Sequence, residues 1–313
     1  MTRTLLLLAA LASSLCFAPT ALQAADPQRL VRIGPEEAEA MQLLQPHEPK
    51  TMVKDGHIRE LTITKCEKLG DAEFRALGKL THLKNLTLYG GCKGLDDTTL
   101  PHLAGLQQLE RLGCDGARLT DAGLKHFAAL KGLKALAFFH LSFRLEGFTG
   151  VGFAALKDLP NFERLTVAGM SMNDDGFRAI AEIKQLKELH TWHTYQSEAA
   201  NDAIATLPNL RALRMGQRLP WGGGKAVSLS DASLVKFAKI KTLESLAIGE
   251  AHFTVAGLAV LKELPALKKL ELYQTDLPEA DVPLVKKELP NVAVDFKPLT
   301  AEQKKGLESY LKQ

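Results

Sequence analysis

LERLGCDGARLTDAGLKHFAAL, residues 109–130, holds two patterns back to back. Leu109, Leu112 and Cys114 follow an L-x-x-L-x-L spacing, in which the last two apolar positions alternate as they would on a strand with one buried face. Leu124, Phe127 and Leu130 then recur at helical spacing. Between them stands Leu119-Thr120-Asp121-Ala122-Gly123-Leu124, with a capping residue and an acid where a helix would begin. The strand spacing recurs from Ile58, Leu83, Leu109, Leu133, Phe162, Leu186, Leu210, Leu243 and Leu267, with a degenerate last copy at Val292-Val294. Successive starts differ by 25, 26, 24, 29, 24, 24, 33, 24 and 25 residues.

A period near 24 residues is decisive because one strand–helix unit cannot bury its apolar face alone. Stacked copies build one continuous core. Positions 4 and 6 of each copy should point inward, and positions 3, 5 and 7 outward. Thr120, Asn173 and Ser230 should cap the helices, and Asp121, Asp174 and Asp231 should meet the positive end of each helix dipole. Pro160, Pro208, Pro265 and Pro290 should stop the helices before the next strand.

These residues resemble the leucine-rich repeat family, and within it the ribonuclease-inhibitor-like, cysteine-containing subtype of exported bacterial chains. Leu119–Leu124 matches that subtype's helix start, and Cys66 and Cys92 fall near its cysteine position in the first two copies. The resemblance covers about residues 57–296. It implies an α/β fold: a right-handed solenoid of about nine to ten repeats, with a parallel concave sheet and a helical convex side. It also implies a binding surface and no shared chemistry.

The ends read differently. Residues 1–24 have the charged start, apolar run and small-residue finish of a signal peptide. The mature chain is then exported, periplasmic or secreted, without a membrane span. Residues 25–56 contain a helical pattern over 34–45 that would cap the first copy. Residues 297–313 carry Thr300 and Gln303 at capping-box spacing, with Leu307 and Leu311 on one helical face to cover the last. The 313 residues are 46% hydrophobic, 24% charged and 6% aromatic, with a formal charge of +3. That balance excludes a disordered chain and argues against a nucleic-acid partner. Cys66, Cys92 and Cys114 remain after cleavage. Cys66 and Cys92 read either as a disulfide or as buried thiols, and Cys114 as a core residue.

Outward positions of a parallel sheet form ladders about 4.8 Å apart. On the position 7 ladder, Phe139 and Trp192 flank the small Ala168, two rungs or roughly 10 Å apart, as the walls of a slot. Arg111, Asp115, Arg164, His190 and Arg214 surround it, and Trp221 stands on the Gly-rich insertion of the longest copy. Aromatics and arginines are enriched at binding hot spots. His190 and His193 lie three apart on a strand and should face opposite ways, so no metal site or cofactor is expected. No catalytic motif appears either. The expectation is a non-enzymatic protein that binds a protein or peptide on its concave face. A binder of envelope glycans and a structural envelope protein are the alternatives.

Overall fold

The computed structural model describes residues 33–142, 145–217 and 227–311. The expected signal segment, the Pro220–Gly224 insertion and Trp221 lie outside them. Among the described residues, eleven strands form one sheet in strict sequence order. β1 (Lys50–Lys54) and β2 (His57–Ile63) pair antiparallel. Parallel strands follow, one per copy: β3 (Asn85–Leu88), β4 (Arg111–Asp115), β5 (Ala135–Phe139), β6 (Arg164–Ala168) and β7 (Glu188–Trp192). β8 (Ala212–Met215), β9 (Ser245–Gly249), β10 (Lys269–Tyr273) and β11 (Ala293–Lys297) complete the sheet. Neighbours pair in the register of the repeat, so that Leu61, Leu86, Leu112, Leu136, Leu165 and Leu189 form one unbroken rung-to-rung line.

The inward positions are filled as the pattern demands. Leu83, Leu88, Leu109, Cys114, Leu133 and Phe138 are fully buried, in a single core that runs the length of the stack. Helices and helical turns lie between successive strands. They are irregular: Asp71–Gly78, Asp174–Ile180 and Asp231–Phe237 are α-helical, while Leu100–Gly105, Gly123–Ala129 and Val151–Asp158 wind as 3-10 turns. A 24-residue copy has little length to spare, and the 3-10 turn covers more distance per residue.

Seven strands, β3 to β7 and β9 and β10, end in a left-handed turn at position 8. Gly90, Gly116 and Gly169 supply it in three copies, and His140, His193, Glu250 and Gln274 adopt it in four others despite carrying side chains. Positive φ at a non-glycine residue costs free energy and needs compensation from neighbours.

Asp174 and Asp231 stand in the first turn of their own helices, as expected, but the hydrogen bonds of the motif aspartates go elsewhere. Each reaches forward to the next copy. Asp97 accepts the Thr120 backbone N–H at 2.9 Å and its hydroxyl at 2.5 Å. Asp174 binds Ser197 in the same way, at 2.7 and 2.6 Å, and Asp231 binds Thr254 at 3.1 and 2.7 Å. Asp121 accepts four bonds, from Thr149 N–H and Oγ1, Gly150 N–H and Gly152 N–H. A carboxylate has two acceptor oxygens, so it can order a whole cap of the adjacent turn rather than one end of its own. The local caps form as expected: Thr120 accepts from Ala122 and Gly123, Asn173 from Asp175 and Ser230 from Ala232.

At the start of the stack, Pro35–Leu44 is the expected helix, with Met41 and Leu44 buried. The strand β1 beside it was not foreseen. Its signal is Asp55-Gly56, both at positive φ, the dipeptide of a tight hairpin. At the far end, Ala301–Leu311 is helical, and Thr300 and Gln303 exchange the two bonds of a capping box. Cys66, Cys92 and Cys114 are free thiols and fully buried. Burial is the main reason the Cys114 thiol lies well above its ordinary value.

Candidate functional site

Phe139 on β5 and Trp192 on β7 stand either side of Ala168 on β6, in the register the repeat dictates. The slot between them is closed. Their ring centroids are 6.1 Å apart at an interplanar angle of 53°, and Ala168 beneath is buried. A methyl group offers nothing to hold the rings apart, and a tilted aromatic contact is favourable in itself. The walls of the expected slot are therefore one continuous surface.

That surface is longer than the sequence suggested. Tyr89 meets Phe139 edge-on, with centroids 6.0 Å apart. On the other side, Arg214 sits over the Trp192 ring at 5.9 Å and over the Tyr273 ring at 4.1 Å. Arg214 also pairs with Glu271 at 3.5 Å. Tyr273 lies back along the sheet, and its hydroxyl donates to the Met215 carbonyl at 3.0 Å, two strands away. Gly249 makes this possible, since a Cβ there would overlap the Tyr273 ring. Tyr89 and Tyr273 were not among the expected site residues. The signal was present, since both occupy position 7, but strand spacing does not show which way a long side chain leans. Burial raises the Tyr273 phenol above its ordinary value.

The polar residues divide. Arg164 is held by Glu188 at 3.0 Å. Asp115 is 2.8 Å from His140 Nδ1. Arg111 is half-buried on β4, between Asn85 and Ala135 in register. His190 faces outward between Thr166 and Arg214. His193, three residues on, turns away at the left-handed corner and meets Glu250 at 2.7 Å in a buried contact. The two histidines thus do not converge.

His190 is the titratable group of this surface. Burial, and then the charges of Arg214 and Arg164, lower its pKa from 6.5 to about 4. A histidine whose folded pKa is depressed disfavours the native state as pH falls, because the unfolded chain takes up the proton first. Between pH 7 and pH 5 this one residue should cost about 2 kcal/mol. Urea unfolding of the native chain and of His190→Gln should therefore diverge over that interval, with the variant losing less. Parallel curves would show an imidazole that titrates as freely as in water.

The strand order, the copy-to-copy register and the unbroken leucine lines define an α/β leucine-rich repeat solenoid with an open, mostly parallel sheet. Among solved structures, the chain is similar to an internalin from Listeria monocytogenes, at 15% identity and a TM-score of 0.44 over 90% of this chain and 100% of that one. No family model and no curated protein matches the chain.

Proposed function

We propose that this is a non-enzymatic recognition protein, exported after cleavage of residues 1–24, that binds a protein or peptide across the concave face of its sheet. The row Tyr89–Phe139–Trp192–Arg214 carries the reading. Aromatic side chains and arginine supply most of the binding energy where proteins meet. Here they are also braced by one another before any partner arrives, so little rotamer freedom remains to be lost on binding. Asp115, Arg164 and Glu188 border the row with both signs of charge. Such a border suits a polar rim around an apolar centre. Among the described residues no helix is long and apolar enough to cross a membrane.

The test is capture of a partner from the envelope and secreted fractions of the source cell, followed by measurement of its affinity. The baits are the mature chain and the same chain with Phe139→Ala and Trp192→Ala. Loss of the two rings should cost about 2 kcal/mol or more, a weakening of roughly 30-fold. A partner held equally by both baits would move the site off this face. A glycan captured in place of a protein would overturn the partner class and leave the face standing.

A further inference from the structure

Away from the aromatic row, three ligand-type side chains from three separate segments meet at the start of the stack. Glu37 comes from the capping helix, His57 from the first residue of β2, and His82 from the turn before β3. Glu37 is buried, and its Oε2 accepts the Ile58 backbone N–H at 3.1 Å. Its Oε1 lies 3.3 Å from His57 Nδ1 and 3.4 Å from His82 Nδ1. The two imidazoles stack face to face, with centroids 3.5 Å apart and planes within 22°. Each histidine side chain is about one-third exposed, at 35%.

We propose that Glu37, His57 and His82 form a binding site for a divalent transition-metal ion, with zinc the reference case. The carboxylate-to-nitrogen spacings match those around such an ion, and binding it requires the stacked rings to rotate so that both Nδ1 lone pairs point at one centre. An N–H···O bond is commonly near 2.9 Å, so two contacts at 3.3 and 3.4 Å to one oxygen are both long. A tetrahedral ion about 2.0–2.1 Å from each ligand sets its ligand atoms about 3.3–3.4 Å apart. The remaining oxygen of Glu37 is already fixed by the Ile58 N–H, which orients the carboxylate as second-sphere bonds orient metal ligands. Two imidazoles and one carboxylate favour zinc, nickel or copper(II) over calcium or magnesium, which prefer oxygen. Three protein ligands at a half-exposed position leave a fourth place for water.

The rest of the stack shows what these histidines do not do. The equivalent position, just before each copy's first apolar residue, holds Gln185, Asn209 and Thr242 in later copies. Those side chains bond backbone carbonyls of the preceding copy: Gln185 to Leu159, Asn209 to Lys184 and Thr242 to Leu210. Histidine occupies this position in the first two copies, where the capping helix brings a buried carboxylate over it. An ion there would clamp the cap to the first two copies, where a solenoid would otherwise begin to open.

The test uses the full mature chain without a histidine tag, freed of metal by a chelator, with Zn²⁺ and Co²⁺ as probes. The comparison is the double variant His57→Gln, His82→Gln, which installs the amide that later copies carry and so keeps the fold. The expected result is uptake of one ion per chain by the native protein, at least tenfold weaker in the variant. The native melting temperature should rise with zinc concentration, and the variant's should not. The bound Co²⁺ spectrum should lack a thiolate charge-transfer band. Absence of saturable uptake would overturn the site, as would equal uptake by the variant. A thiolate band would overturn it too, by assigning the ion to Cys66, Cys92 and Cys114.

Discussion

Glu250→Ala should lower the free energy of unfolding by about 3–5 kcal/mol. Glu250 stands at a left-handed turn and its side chain is 12% exposed. It accepts from His193 at 2.7 Å through one oxygen, and through the other from the Gln217 backbone N–H at 3.1 Å. Removal takes the counter-charge from a buried imidazole and the acceptor from a buried amide at one stroke. Two residues at positive φ, His193 and Glu250, then lose the contact that compensates their backbone cost. Urea unfolding measures the loss, and a value under about 1 kcal/mol would show that solvent already satisfies the pair. The pair also carries a pH signature of definite sign. Burial pulls the His193 pKa down, but the charge and hydrogen bond of Glu250 outweigh burial and leave it raised. A raised histidine stabilises the fold fully below its unfolded value of about 6.5 and loses that contribution as pH climbs through its folded value. The gap in stability between the native chain and Glu250→Gln should therefore shrink as pH rises above about 6.5.

Asp121→Ala comes next, at about 3 kcal/mol. Four donors of the following copy converge on this one carboxylate, at 2.9, 2.8, 2.8 and 3.2 Å. Bonds to a charged acceptor contribute about 1.5–3 kcal/mol each when intact, and part of that is recovered by water at a half-exposed site. The fall in melting temperature should be roughly 5 °C for a domain of this size. The location of the damage matters as much as its size. Hydrogen exchange should quicken first at Thr149, Gly150 and Gly152 in the neighbouring copy, and not in the turn that contains Asp121. Faster exchange confined to residues 121–129 would restore the local helix-dipole role that the sequence suggested. Asp121→Asn should be milder than Ala, because the amide oxygen can still accept part of the set.

Both predictions depend on contacts between copies, and that is where the sequence is least legible. The motif Thr120-Asp121-Ala122-Gly123 looks complete in itself: a cap, an acid for the dipole and a flexible glycine. Its glycine has a different cause. A Cβ at Gly123 would overlap the carboxylate of Asp97 from the copy before, and one at Gly257 would overlap that of Asp231. The same residues thus satisfy two descriptions, a local one and a forward-reaching one, and the second explains Gly123 and Gly257. Similarly, Phe139 and Trp192 were correctly placed two rungs apart, yet their rings closed the slot because Ala168 could not fill it.

The sequence by itself determined the architecture: one strand per copy, the register, the inward leucines and the parallel stack. A period near 24 residues with a fixed apolar spacing admits one way to bury every copy, so the pattern is enough. The tertiary structure decided what each outward or capping side chain meets. Tyr273 leaning over Gly249, Asp121 gripping the next turn, and Glu37 meeting both His57 and His82 all join residues a copy or more apart. Long side chains at equivalent positions are free to turn toward either neighbour, and the choice is made by the size and charge of what stands on the adjacent rung.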